Sequence, residues 1–292
     1  MKLTIFTPTY NRAYILPHLY QSLCNQTCKD FEWLVVDDGS TDDTESLIRS
    51  YVDEAYITVR YFRQTNSGKH IAINKGVELA HGELFFIVDS DDCLAADAVE
   101  CLLKHYEKIA DRDDIAGIVA IRTDLNGNRI GGELSWQQMD CSPLDFRMRL
   151  HIDGDMAEVV KTSVFRQYPF PRIPGERFCP EALVWNRISL RYKFRYVNEP
   201  IYRCEYRPDG LTAKILRIRM QSPEAVLMGH AELMRMPVPF RQKVKAAINF
   251  WRFSFCSRKA FAKKVGQGGA LSLLMWPFGA LYHLYDLHCL KK

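Results

Sequence analysis

No Cys-x-x-Cys pair occurs among the nine cysteines of this 292-residue chain, and the closest two, Cys24 and Cys28, stand one helical turn apart. An odd, scattered set argues against a disulfide framework or a zinc site, and a reducing cytoplasm is the expected setting. No Gly-x-Gly-x-x-Gly follows the first apolar segment, and no Gly-x-x-x-x-Gly-Lys-Ser/Thr occurs. Dinucleotide redox and P-loop chemistry lose weight accordingly. The apolar opening, residues 1–7, meets Pro8 too soon for a signal peptide. Residues 268–284 are apolar and aromatic, but Pro277 interrupts them and a spanning helix needs about 20 apolar residues. No internal repeat or low-complexity segment is visible. Acids are scarce at one end: from Leu233 onward a single acid, Asp286, faces eleven Lys and Arg, a local charge of +10. The total is +4, so the first 232 residues carry −6. An acidic body with a basic tail must be read in two parts.

With 47% apolar residues the chain can bury one sizeable core, or one domain and an appendage. Its first half alternates strand and helix patterns. Strands are expected at 2–7, 31–36, 55–62, 83–88 and 115–123. Helices are expected at 13 to about 27, from an N-cap at Thr41 to about 51, at 67–80 with Gly82 as the stop, and from about 95 to 109. Such alternation indicates an α/β protein with a mostly parallel sheet. Beyond Gly131 the pattern weakens: a loop-rich stretch with a short helix at 136–149, a strand at 157–161, a Pro-rich loop at 168–180, a helix at 181–192, and possible strands at 195–197 and 201–204.

Ligands of parallel α/β sheets bind beyond the carboxyl ends of the strands. Three polar clusters stand at such ends: residues 7–11, 37–40 and 89–92. The last is the sharpest. Glu83-Leu-Phe-Phe-Ile-Val-Asp-Ser-Asp-Asp92 runs a buried strand directly into Asp89, Asp91 and Asp92. Like charges at a strand tip are costly unless a cation offsets them, so Asp89 and Asp91 suit a divalent metal and the ligand it carries. The competing reading is a solvated acidic turn whose Asp92 caps the next helix. Asp38, beside Gly39 and Ser40, suits a base or a ribose, since a carboxylate accepts from an imide N–H or a hydroxyl; the plain alternative is an Asp-Gly turn. Lys69 and His70 open a helix after Gly68, where a helix N-terminus and a cation together favour a diphosphate. Together these groups describe the site of a nucleotide-diphosphate donor, with the metal neutralising the leaving group.

Thr-Pro-Thr-Tyr-Asn-Arg (7–12), Val-Val-Asp-Asp-Gly-Ser-Thr-Asp (35–42), Asn74-Lys-Gly76, Ala80-His-Gly-Glu83 and Val88-Asp-Ser-Asp-Asp92 occur in order. The chain resembles the family 2 glycosyltransferases of GT-A fold over roughly residues 1–205. That resemblance implies a Rossmann-like central sheet flanked by helices, and inverting transfer of a sugar from a nucleotide sugar. It places Pro8 and Tyr10 in the nucleobase pocket, Asp38 on the base, Asp89 on the ribose side and Asp91 on Mn²⁺ or Mg²⁺. Thr7, Lys69, Asn74 and Ser90 join the nucleotide-binding set. The family commonly supplies its general base from a Glu-Asp pair opening a later helix. Here Phe178-Cys-Pro-Glu-Ala-Leu-Val-Trp-Asn186 keeps Glu181 but has Ala182 in second place, so Glu181 is the expected base. Asp155 is the alternative base or a sugar-pocket residue.

Residues 241–264 carry eight basic residues and no acids, interleaved with aromatics. With the apolar stretch after them they read as an interfacial membrane anchor, the alternatives being a helical pair packed on the catalytic domain or an oligomer contact. Nucleic acid is not expected, because the acidic body repels phosphate backbones. The expected organisation is a catalytic domain over 1–215 and a basic, aromatic helical appendage over 216–292. The expected enzyme is cytoplasmic, peripheral on the inner face of the plasma membrane, moving a hexosyl or N-acetylhexosaminyl group from a UDP-sugar to a lipid-linked surface glycan. A sugar-nucleotidyltransferase and a catalytically idle nucleotide-sugar-binding scaffold are the competing readings.

Overall fold

The computed structural model describes residues 1–131, 136–152, 154–204 and 214–290. Its first half builds β1 (Leu3–Thr9), α1 (Leu16–Cys24), β2 (Phe31–Asp37), α2 (Thr44–Glu54), β3 (Thr58–Arg63), α3 (Lys69–Leu79) and β4 (Leu84–Ile87). These four strands pair in parallel in the order β3-β2-β1-β4. Every residue of β1 and β2 is buried, as expected where helices cover both faces of a sheet. Alternate side chains serve two cores. Leu3, Ile5, Trp33 and Val35 face one, and Phe6, Leu34 and Val36 face the other. Because β1 lies between β2 and β4, the chain leaves it in two directions, and a crevice opens at its carboxyl end.

The second half is β5 (Cys93–Leu94), α4 (Ala98–Glu107), β6 (Ile115–Thr123), β7 (Gln138–Cys141), α5 (Pro143–Met148), β8 (Met156–Lys161), α6 (Thr162–Phe165), α7 (Ala182–Ser189) and β9 (Lys193–Arg203). It extends the sheet as β4-β8-β6-β9-β5, with β7 on β9. Here the parallel order gives way: β8 runs antiparallel to both β4 and β6, and β9 is parallel to β6. The sheet is therefore mixed, parallel across β3-β2-β1-β4. The two strands expected at 195–197 and 201–204 are one strand, β9, which passes Pro200 with register shifts against β6. β5 and β7 were not expected, being two and four residues long.

The expected Thr41 cap and the competing Asp92 cap both fail. Thr41 does not cap α2; its N–H is donated to Asn11 Oδ1 at 2.8 Å, and the helix starts at Thr44. Asp92 does not cap α4 either, since β5 intervenes and the N-cap position is Asp97.

The helical region comprises α8 (Ile215–Gln221), α9 (Pro223–Arg235), α10 (Phe240–Ser254), α11 (Phe261–Leu274) and α12 (Trp276–Cys289). It is fastened to the α/β body through α9. Glu176 accepts the Glu224 and Ala225 backbone N–H groups at 2.6 and 2.9 Å, satisfying donors at the α9 N-terminus. Arg187 of α7 meets Glu232 in a bidentate pair at 2.9 and 2.7 Å. The aromatic face of α10 was expected to meet lipid, but Phe250, Trp251 and Phe253 are buried, Phe250 and Trp251 in a small core with Leu227, Ala231 and Met234 of α9. Apart from Phe240 at the start of α10, the exposed apolar and aromatic surface of this region lies mostly on α11 and α12, at Phe261, Leu274, Phe278, Leu281, Tyr282 and Tyr285. Pro277 stands in the first turn of α12, where a missing N–H costs nothing. Among the described residues no helix is long and apolar enough to cross a membrane.

Candidate functional site

Backbone and side-chain bonds bring the three strand-tip clusters together. The Asp38 N–H is donated to Thr9 O at 2.8 Å, and the Asn11 N–H to Ser40 Oγ at 2.8 Å, joining the ends of β1 and β2. The Val88 N–H is donated to Phe6 O at 2.8 Å, setting the end of β4 beside them. Asp37 stays inside: it accepts from Ser40 Oγ at 2.6 Å and Tyr61 Oη at 2.7 Å.

Asp38 is buried, and its carboxylate accepts from Gln64 Nε2, the Ser67 N–H and the Gly68 N–H, each at 2.8 Å. It therefore moulds the loop before α3, with little acceptor capacity left for a base. Gly68 takes φ +96°, and a Cβ there would fall 2.6 Å from the Arg177 carbonyl carbon. Only a glycine lets the two loops touch. Next in sequence, Lys69 reaches across the site, with Nζ 2.7 Å from Asp89 Oδ1 and 2.9 Å from Glu181 Oε1. The expected phosphate contact, the ribose-side carboxylate and the expected base are thus one ion-paired group.

The acidic turn divides its three carboxylates. Burial alone would raise Asp89, but Lys69 and then Arg122 outweigh it and hold it below the usual carboxylate range. Asp92 is buried and accepts the Tyr202 hydroxyl at 2.6 Å. Burial and the Asp89 charge push it up to about 7. The Asp89 N–H is donated to the same Tyr202 oxygen at 3.1 Å, so Tyr202 braces the turn from β9. Asp91 is raised by burial and by Asp89, and no other side chain bonds it among the described residues. A carboxylate that stays raised even with Arg12 and Lys69 acting on it is one that a further cation would relieve. One such oxygen ligand, completed by phosphate oxygens, is the usual environment of Mg²⁺ or Mn²⁺. The donor set fits the metal.

Several expected contacts are absent. Thr7 is fully buried in β1, where its hydroxyl accepts from Trp33 Nε1 at 2.9 Å, and so faces the core. Asn74 does not turn toward a nucleotide. Its amide exchanges bonds with the Phe170 backbone, donating to the carbonyl at 2.9 Å and accepting the N–H at 2.8 Å, and so anchors the Pro-rich loop on α3. Tyr10 is exposed at the rim, while Pro8 and Ser90 are buried at the tips of β1 and β4. Asp155 is exposed ahead of β8.

Glu158, three residues on, is a site group that the sequence reading passed over. Burial pushes it up to about 7 despite Arg122 and Arg147 nearby, and the Glu181 charge adds to the rise. Arg122 stacks its guanidinium 4.2 Å from the centre of the Tyr202 ring and donates from Nε to Met156 O at 2.7 Å. The signal was a charge set among apolar residues in each of two strands, Ile-Ala-Gly-Ile-Val-Ala-Ile-Arg122 and Met-Ala-Glu158-Val-Val; buried charges of this kind are rarely unpartnered.

His70, behind Lys69, is buried with its ring against Phe170. Burial pulls it down to about 4, whereas an unfolded histidine titrates near 6.5. The unfolded chain takes up this proton first as pH falls. Stability is therefore expected to drop between pH 6.5 and 4, by up to about 3 kcal/mol for this residue. His230 in α9, also pulled down to about 4, acts in the same direction. Urea unfolding of wild type and His70→Gln at pH 7.5 and 5 isolates the first; equal pH slopes would refute it.

The family model described as glycosyl transferase family 2 matches residues 4–161. A Campylobacter jejuni GalNAc(5)-diNAcBac-PP-undecaprenol beta-1,3-glucosyltransferase is 28% identical over 241 residues, covering 80% of this chain and 74% of its own length. Against several other curated relatives the match is more limited, covering 17% to 36% of their length. Among solved structures, S. aureus TarS 1-349 in complex with UDP-GlcNAc superposes with a TM-score of 0.65 at 17% identity, over 98% of this chain and 89% of that one. The Pyrobaculum calidifontis mannosyltransferase PcManGT, in complex with GDP-Man and Mn²⁺, superposes with a TM-score of 0.58 at 18% identity, over 98% of this chain and 87% of that one. These likenesses carry the GT-A fold.

Proposed function

The chain belongs to glycosyl transferase family 2, and from that membership we propose that it moves one sugar, with inversion, from a UDP-sugar to a lipid-linked surface glycan in a metal-dependent reaction. The observation that carries this reading is the junction of Lys69, Asp89 and Glu181 beside Asp91, at the carboxyl ends of β1, β2 and β4. Asp91 would hold a Mn²⁺ or Mg²⁺ ion, which supplies charge neutralisation to the departing diphosphate. Tyr10 and Pro8 flank the base, Asp89 faces the ribose, and Asp38 fixes the loop that presents Lys69 to the phosphates. Glu181 takes the proton of the acceptor hydroxyl as its oxygen bonds to the anomeric carbon. The bond from that carbon to the diphosphate oxygen breaks, and the diphosphate leaves with the electron pair. From β8 and β6, Glu158 and Arg122 act electrostatically on each other and on Glu181 and Asp89.

A thermal-shift screen of nucleotide sugars tests the donor. UDP-sugars with Mn²⁺ should stabilise the protein by about 2.7 kcal/mol at a hundred times Kd, with little effect from Mn²⁺ or nucleotide alone. Equal shifts with every nucleotide, indifferent to metal, would sink the reading. Release of UDP in the presence of an acceptor separates a transferase from an idle scaffold.

The acceptor class is supported by the C. jejuni relative, named for an undecaprenol-linked acceptor, and by α11 and α12. These helices turn apolar and aromatic side chains outward, with Lys259, Lys263 and Lys264 close in sequence, as a lipid-interface helix does. Vesicles containing anionic lipid should carry the protein in flotation, and Leu281→Ser with Tyr285→Ser should reduce that at least tenfold while donor hydrolysis continues. Flotation unchanged in the double variant would remove α12 as the contact.

A further inference from the structure

Lys69 stands between two carboxylates of different fate. Asp89 belongs to the turn after β4, which Tyr202 holds by the Asp89 N–H. Glu181 is carried at the N-cap position of α7, and its side chain makes no capping bond to that helix. Behind Lys69 the backbone is fixed, because the Gly68 N–H is donated to Asp38. A four-carbon stem has several rotatable bonds, and an ammonium can redirect its three hydrogens without moving the chain.

We propose that Lys69 is contested between Glu181 and the donor: in the free enzyme it ties down the carboxylate that activates the acceptor, and an incoming diphosphate draws it off. This deepens the proposed function and rests on its donor site and on Glu181 as the proton acceptor. A carboxylate oxygen 2.9 Å from an ammonium already has its lone pair engaged. A diphosphate offers the same ammonium more negative charge at the place where Asp89 keeps it. Glu181 then turns to the acceptor hydroxyl only once a donor is present. Binding free energies are reciprocal, so whatever ties Lys69 to Glu181 must weaken donor binding by the same factor.

The test is a competition measurement. Glu181→Gln keeps the size and an acceptor oxygen but removes the charge that competes for Lys69. It should bind UDP with Mn²⁺ three- to tenfold more tightly than wild type by titration calorimetry, while transfer is lost. A merely structural Glu181 would lower affinity and activity together. Lys69→Met should weaken UDP binding, and adding Glu181→Gln to it should bring no further gain, which places the coupling in this pair. Lys69→Arg should restore most of the affinity. Wild type that binds UDP while Glu181→Gln binds no more tightly overturns the proposal and leaves the donor reading standing. Wild type that binds neither UDP nor GDP with Mn²⁺ overturns the donor reading, and this proposal with it.

Discussion

Asp91→Asn is expected to lower transfer at least a hundredfold, about 3 kcal/mol of transition-state stabilisation, and to abolish stimulation by Mn²⁺. The division of labour in the acidic turn is the reason. Asp89 is paired with Lys69, and Asp92 accepts the Tyr202 hydroxyl, so neither is free to replace a lost ligand. Folding should not suffer. Asp91 lies in a crowded turn where Asp89 opposes its charge, and the isosteric amide removes one of the opposed charges. The melting temperature without metal should therefore equal or exceed that of wild type. Two measurements decide it: rate against Mn²⁺ concentration, and melting with and without Mn²⁺. Turnover still stimulated by Mn²⁺ in the variant would exclude Asp91 as the ligand.

Gly68→Ala should be severely damaging although it replaces a single hydrogen by a methyl group. The φ of +96° is strained for any L side chain, and the Arg177 backbone occupies the space a Cβ needs. Both loops would have to part, at a cost on the order of 2–4 kcal/mol. Parting them pulls the Gly68 N–H from Asp38 and shifts Lys69 relative to Glu181, which lies four residues beyond Arg177. Transfer should fall a hundredfold or more even at temperatures where the variant is folded, since small misplacements of reacting groups are costly. Urea unfolding and steady-state rates measure the two effects separately. A stable variant with near-normal turnover would mean that the contact between the loops is dispensable.

The strand tips were legible in the sequence because their chemistry is concentrated. Three polar clusters ending three apolar runs leave few alternatives, and the parallel half of the sheet formed where alternation placed it. The errors came where one residue's partner lies far along the chain. Thr7 and Asn74 sit inside the matched motifs, yet their bonds go to Trp33 and Phe170, and no local pattern tells a polar residue facing a ligand from one facing a neighbouring loop. Glu158 and Arg122 escaped for the opposite reason: each is a single charge among apolar neighbours, and only the fold brings them within electrostatic reach of Glu181 and Asp89. The α10 aromatics have the amphipathic spacing of a lipid-facing helix, and that spacing equally describes a helix packed on α9 and α12. Periodicity gives the apolar face of a helix, not its occupant.

The packing of α12 makes truncation a poor way to ask what the C-terminal region does. This helix buries Gly279 and Asp286 and turns most of its apolar side chains outward. Asp286 is clamped by Arg252 of α10 at 2.6 and 2.7 Å, and Gly279 lets the helix lie against the Trp251 side chain. A protein cut at residue 275 would lose the carboxylate that Arg252 answers and the cover over an indole. One cut at residue 232 would end inside α9, beside the Glu232 that holds Arg187. Poor yield or aggregation of either would report a broken interior, whatever the helix does at a lipid surface. Exchanging the outward residues of α12 for serine leaves the interior whole, and it offers a route to a more tractable enzyme that still contains every group placed at the strand tips.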